Sequence, residues 1–189
     1  MSATPAWTGL VLAGGRSSRM GRDKALLQWH GRPLLEHMQT LLRDAGARDV
    51  VISGDRPGYA GIADVQPDLG PLGGLASVIS RLADAVTLVV VPVDMPLLSR
   101  ALLEPLLAPP HQRCVAFEDQ MLPMRLHLDA AVREALAALM AGAGPSRSLR
   151  ALQAALHCHR VAVTASQRAA FVNCNTPEQW SQLTHENPD

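Results

Sequence analysis

A chain of 189 residues, 48% hydrophobic and 18% charged, holds enough apolar side chain for one α/β domain and too little length for two full ones. Aliphatic content of this order excludes disorder as the overall state. Seventeen basic and seventeen acidic residues cancel and aromatics are only 3%, so neither a net field nor stacking platforms point to nucleic acid or an anionic membrane.

In chain order, the apolar run 8–12 predicts a buried first strand that breaks into Ala13-Gly14-Gly15. After a polar stretch, a short strand is expected over 25–29, closed by the turn His30-Gly31. Pro33 then stands where a helix takes its first turn, and Leu34, Leu35, His37, Met38, Leu41 and Leu42 recur at helical spacing up to a stop near Gly46. Strands are expected over 49–53 and 63–66, after which Gly70-Pro71-Leu72-Gly73-Gly74 punctuates the chain and opens a helix running to 82. The run 86–93 is β-branched and apolar on both faces, as a central parallel strand should be. A helix over 100–107 precedes two strands, 113–117 and 122–126, around the turn 118–120. Helices over 129–140 and from the breaker 142–145 to 156, a strand over 159–163 and a helix over 177–183 complete the chain.

Strand and helix alternate over the first hundred residues, which implies right-handed crossovers and a three-layer α/β/α sandwich with a mostly parallel, Rossmann-like sheet. A single domain over 1–189 is expected. Ligands of such sheets lie at the carboxyl ends of the strands, which selects the loops after Leu12, Ser53, Gln66 and Val93.

The first of these loops, residues 12–24, carries the strongest signal. Gly14 and Gly15 let backbone N–H groups close on a polyanion, and Arg16, Arg19, Arg22 and Lys24 place four cations beside a single carboxylate, Asp23. That is chemistry for a triphosphate. Sixteen of the seventeen basic residues are arginine and only Lys24 is lysine, a compact charge that a wide guanidinium does not replace. Neither GxxxxGK[ST] nor GxGxxG is present, which disfavours a P-loop and a dinucleotide site. The pattern Leu-Ala-Gly-Gly-x3-Arg-Met-Gly-x2-Lys instead resembles the signature loop of the nucleotidyltransferase family that includes the molybdenum cofactor guanylyltransferases of the MobA type.

Other segments agree with the resemblance. Val93-Asp94-Met95-Pro96 sets a carboxylate at the end of the central strand, where it can help to hold Mg2+ or cap the following helix. The family's Asp-x-Pro at this place implies the metal and nucleotide role for Asp94. Asp68 with Gly70, Pro71, Gly73 and Gly74 is similar to a Gly-Pro-Leu-x-Gly segment that implies nucleotide contacts, the glycines admitting a flat base and the carboxylate accepting guanine N–H groups. Ser53 occupies a position that is often Asn in the family. Val172-Asn173-Cys174-Asn175-Thr176-Pro177-Glu178 looks like the family's Val-Asn-x-Asn-Thr-Pro-Glu, which implies pterin binding by Asn173, Asn175 and Thr176, although Thr176-Pro177 also reads as a helix cap. Arg147, in a basic Gly-x-x-Ser-Leu stretch, is expected to assist with the acceptor phosphate.

Three cysteines, Cys114, Cys158 and Cys174, without a CxxC spacing fit a reducing compartment rather than a disulfide framework. His157-Cys158-His159 makes a poor metal site, because alternate strand residues face opposite ways. Residues 1–8 lack the features of a signal peptide, and the nine-residue run 85–93 falls short of the ~20 residues of a membrane span. A cytoplasmic enzyme is expected.

The resemblance thus implies a Mg2+-dependent transferase that joins GMP from GTP to molybdopterin and releases pyrophosphate. Residues 1–100 would form the nucleotide half and 101–189 the acceptor half. Leu12, Ala13, Gly14 and Gly15 would cradle phosphates, Lys24 and Arg19 would neutralise charge, and Asp94 would hold the metal. Cytidylyl transfer to the same cofactor, nucleotidyl transfer to a sugar phosphate, and a pterin carrier without chemistry are the alternatives. Molybdoenzymes or other proteins of cofactor biosynthesis are the partners such an activity implies.

Overall fold

In the computed structural model, which describes residues 6–14, 23–56, 58–66, 68–108 and 111–187, Trp7–Leu12 forms β1, an interior strand of the sheet. Its side chains alternate between two cores: Trp7 and Val11 face one, Leu10 and Leu12 the other. Gly9 lies under the following helix, where a Cβ would come 2.8 Å from Leu42 Cδ1. A glycine is what lets helix and strand approach that closely.

Lys24–Leu26 is a 3-10 turn rather than the start of a strand, because the Asp23 carboxylate caps it by accepting from the Ala25 N–H at 3.0 Å. Only β2 (Gln28–Trp29) extends, pairing antiparallel with β3 (Arg32–Pro33) around His30 and Gly31, both at positive φ as a tight hairpin requires. Helix α1 (Leu34–Asp44) buries Leu34, Leu35, Met38 and Leu42, the stripe expected from its spacing. β4 (Asp49–Ser53) follows, then β5, which is Gly61–Ile62 and not 63–66. The later residues leave the sheet, where the Val65 N–H binds Ser77 Oγ at 2.9 Å.

Helix α2 begins at Gly70 itself and ends at Ile79, so the glycine-rich segment is helix and not loop. β6 (Thr87–Pro92) and α3 (Arg100–Leu107) lie where expected. β7 (Cys114–Phe117), β8 (Met124–His127), α4 (Ala130–Ala141), α5 (Leu149–Ala155), β9 (His159–Val161) and α6 (Pro177–Glu186) complete the order. A 3-10 segment over Ala165–Phe171, absent from the sequence expectation, links β9 to the last helix.

Among the described residues seven strands form one sheet in the order β5-β4-β1-β6-β8-β7-β9. All run parallel except β8, which is antiparallel to both neighbours, so β6 is parallel on one side only. Side chains of α1, α3 and α6 pack on one face and those of α2, α4 and α5 on the other, which is the three-layer sandwich expected. The chain moves from β1 outward to β4, then returns across to β6. This reversal makes the carboxyl end of β1 a topological switch point, the place where open α/β sheets bind ligands.

Candidate active site

At that switch point the ends of β1, β4 and β6 are tied together. The Ala13 N–H donates to the Ser53 carbonyl at 3.1 Å, and the Val93 N–H to the Leu12 carbonyl at 3.1 Å. Beyond them opens a cleft of about 200 Å³. It is lined by Leu12, Ala13, Gly14, Lys24, Ser53, Gly70, Pro71, Gly74 and Asp94 among the residues singled out from sequence. Gly15 and Arg19, with Arg16 and Arg22, lie outside the described residues. Gly73 turns inward, where a Cβ would meet Leu69 Cβ at 2.6 Å, and Asp68 is not part of the lining.

Lys24 is the hub. Its Nζ lies 3.4 Å from Asp94 Oδ2 and donates to Asn175 Oδ1 at 2.5 Å. Both charged side chains are mostly shielded, at 17% and 20% exposure. The C-terminal segment is pinned to the same strand end by the Cys174 N–H, which donates to the Asp94 carbonyl at 2.9 Å. Burial, with the Asp94 charge adding to it, raises the Cys174 thiol to about 11, so this cysteine stays protonated and packs as a hydrophobe.

Two cleft residues escaped the sequence reading. The Asp64 carboxylate, not that of Asp68, enters the cleft. Ser53 Oγ donates to its Oδ1 at 3.5 Å, and burial raises its pKa while that hydroxyl partly opposes the shift. Arg56 spans the floor, donating from Nη1 to Asp23 Oδ2 and from Nη2 to the Ala13 carbonyl. It stands in the loop after β4 that the strand-end rule selects, and that rule was the available signal. Ser53 is buried at 1% exposure and works as a wall under Gly74 rather than as an open contact. A Cβ on Gly74 would meet Ser53 Oγ at 2.3 Å, so the glycine serves close packing of α2 on the strand end, not a flat base.

A second, larger cavity of about 730 Å³ adjoins the first and shares Asp94, Gly70, Pro71 and Leu122 with it. Arg147, Arg150 and Asn173 line it, together with Asp119, Gln120 and Met121. Thr176 commits its hydroxyl to the cap of α6, accepting from the Gln179 N–H at 3.3 Å, while Gln179 Oε1 accepts from the Thr176 N–H at 3.1 Å. The structure therefore gathers Lys24, Asp94 and Asn175 at the junction, Arg147 and Asn173 in the larger cavity, and Thr176 in a helix cap.

A hard cation such as Mg2+ takes oxygen ligands and completes its shell with phosphate oxygens and water, so the protein need supply only one or two carboxylates. Asp94, an oxygen donor fixed at a strand end and facing both cavities, fits that requirement. Among the described residues no three His, Cys, Asp or Glu side chains gather into an all-protein cage. His157 has φ 48 and, like Cys158, precedes β9, so only His159 of the three lies on that strand.

Sheet order, switch-point cleft and lysine-carboxylate junction together describe an α/β nucleotidyltransferase. Residues 9–161 match the MobA-like NTP transferase domain, and the chain belongs to that family. It is 80% identical over 183 residues to the molybdenum cofactor guanylyltransferase of Xanthomonas euvesicatoria pv. vesicatoria (strain 85-10), which covers 97% of each chain. To the protein of the same name from Shewanella sp. (strain MR-4) it is 32% identical over 191 residues, 94% of each. The crystal structure of molybdopterin-guanine dinucleotide biosynthesis protein A from Archaeoglobus fulgidus superposes with a TM-score of 0.72 at 18% identity, covering 95% of this chain and 97% of that one, and so shares the fold. The family resemblance read from the glycine loop holds. Among the described residues no helix is long and apolar enough to cross a membrane.

Proposed function

We propose that the protein joins GMP from GTP to the terminal phosphate of molybdopterin, forming the guanine dinucleotide cofactor and releasing pyrophosphate, with Mg2+ as cofactor. The observation that carries this reading is the meeting of two cavities at Asp94, one walled by the glycine turn and Lys24, the other by Arg147 and Asn173. A donor and an acceptor seated in them would bring their reacting phosphates together beside Lys24. The names of the two relatives favour guanylyl over cytidylyl transfer.

An acceptor phosphate is already anionic, so its oxygen attacks the α-phosphorus of GTP without a general base. The new P–O bond forms as the bond to the β-bridging oxygen breaks, and pyrophosphate leaves with the electron pair. Catalysis then rests on alignment and charge neutralisation. Lys24 supplies a fixed ammonium, the Gly14 amide faces the phosphates, and Arg19 remains an expected second cation. Asp64, rather than Asp68, is the carboxylate able to accept guanine N–H groups. Asp94 would hold Mg2+, which when bound supplies neutralisation of the phosphate charge. Arg147, Asn173 and Asn175 would hold the acceptor, so residues 1–100 serve the nucleotide and 101–189 mainly the acceptor.

Incubating the protein with Mg2+, molybdopterin and each nucleoside triphosphate in turn, and following pyrophosphate, tests the reading. Release with GTP alone is expected. Release with CTP instead overturns the base assignment, and tight molybdopterin binding without release with any nucleotide identifies a carrier.

A further inference from the structure

The turn between β7 and β8 contributes Asp119, Gln120, Met121 and Leu122 to the larger cavity, which Arg147 and Asn173 also line. Backbone contacts hold only part of it. The Glu118 N–H donates to the Val161 carbonyl at 2.9 Å and the Gln120 N–H to the Phe117 carbonyl at 3.2 Å. Asp119, at φ 58, takes the left-handed conformation that Asp tolerates in a turn, and further support for the turn comes from outside it.

That support comes from two side chains behind the cavity. Gln153, on α5 and 1% exposed, donates from Nε2 to the Met121 carbonyl at 3.0 Å. Its Oε1 accepts from Arg160 Nη2 at 3.1 Å. Arg160, on β9, uses Nη1 on the Gln120 carbonyl at 3.3 Å and the Phe117 carbonyl at 3.4 Å. A buried amide is costly unless both of its ends are bonded. Here one end grips the turn and the other grips the arginine that also grips the turn. The same amide belongs to the helix whose first residues, Leu149 and Arg150, also line the cavity.

We infer that Gln153 and Arg160 are positioning residues for the acceptor: they fix the Gln120 and Met121 carbonyls, and with them the part of the larger cavity's lining that the turn supplies and its place relative to α5. Neither side chain lines either cavity, so they act through the turn. The inference rests on the acceptor reading of that cavity.

The test is steady-state kinetics with GTP and molybdopterin on Gln153→Glu, Arg160→Ala and Arg160→Lys, beside melting curves. Gln153→Glu keeps an oxygen for Arg160 and loses the donor to Met121. Arg160 is exposed, so its variants keep the test open even if the buried substitution fails to fold. Gln153→Glu and Arg160→Ala should each raise the acceptor KM about tenfold, the size of one or two lost hydrogen bonds, with the GTP KM within about twofold of wild type. Arg160→Lys, which keeps a donor, should recover part of the loss. Amide hydrogen exchange over residues 119–122 should accelerate in Arg160→Ala. A packing role alone predicts a lower melting temperature with both KM values unchanged, and that result overturns the inference, as does an equal rise in the GTP KM. A wild type inactive with molybdopterin overturns the acceptor reading and this inference together, whereas an active wild type with unaffected variants overturns this inference alone.

Discussion

Gly74→Ala isolates the role of close packing at the nucleotide cleft. Its Cβ would lie 2.3 Å from Ser53 Oγ, where ordinary contact begins near 3.4 Å, so about 1 Å must be found. Ser53 is 1% exposed, and its hydroxyl already reaches toward Asp64 at 3.5 Å. Either the hydroxyl rotates away from Asp64, at about 1 kcal/mol for the lost bond, or α2 moves off the strand end. Overpacking of this kind costs about 1–3 kcal/mol, against a gain of about 1 kcal/mol for alanine over glycine within a helix. The net is a loss of up to about 2 kcal/mol, read as about 2–4 °C in Tm per kcal/mol for a chain of this length. Turnover should suffer more, since a displacement of about 1 Å in a reacting site can cost about 100-fold. Thermal melts and GTP titrations of Gly74→Ala and of the double variant Ser53→Ala/Gly74→Ala make the assay. Removing the hydroxyl leaves Ser53 Cβ as the nearest atom of that residue, at an ordinary 3.5 Å, so the double variant should recover both stability and affinity. A single variant that melts and binds like wild type, or a double variant no better than the single, refutes the packing argument.

Three further outcomes are expected. Asp94→Asn should cut pyrophosphate release by at least ~100-fold while the protein melts within a few degrees of wild type, and ordinary turnover by the folded variant removes the metal assignment. Lys24→Arg should be nearly as damaging as Lys24→Ala, because a planar fork does not fit between Asp94 Oδ2 at 3.4 Å and Asn175 Oδ1 at 2.5 Å; retention of most activity shows that only the charge matters. Burial raises the Asp64 pKa, and only its ionised form accepts two N–H groups, so GTP affinity should fall with falling pH in a window above the ordinary carboxylate range. Folding carries the opposite sign, since a raised carboxyl contributes stability that is present at low pH and lost as pH rises through its folded pKa. Asp64→Asn should therefore bind GTP weakly without that acidic limb and melt no lower than wild type at neutral pH. A limb unchanged in Asp64→Asn assigns it to another group.

Sequence reveals most where the physics is local. The stripe of α1 and the two-faced run of β6 declare themselves because one periodicity decides each of them. Asp23 defeats the expected strand over 25–29 through a single cap, and the edge strand β5 is set by pairing with β4 rather than by its own two residues. Glycines 70, 73 and 74 read as nucleotide contacts because their composition is that of ligand loops, while in the fold they lie within α2 and Gly74 lets that helix close on Ser53. Asp64 and Asp68 flank the same turn, and only the run of the chain off β5 decides which enters the cleft. Arg56 meets Asp23 and Ala13 from 33 and 43 residues away, a distance over which no spacing rule operates.

The contact between Lys24 and Asn175 crosses 151 residues, and that between Lys24 and Asp94 crosses 70. The cationic centre is therefore complete only when the last segment has docked, with the Cys174 N–H on the Asp94 carbonyl and Trp180 against Trp29 at 5.7 Å between rings. An ammonium carries three donors. Held by a neutral amide on one side, Lys24 would, in the proposed reaction, stay in place while another of its N–H groups met a phosphate oxygen and Asp94 took up the metal. A second carboxylate at position 175 would bind the lysine more tightly and cancel its charge. In the proposed reaction an amide would anchor the lysine and leave its charge for the phosphates, which would give Asn175 a reason to be asparagine that neither its capping neighbour Thr176 nor the helix behind it supplies.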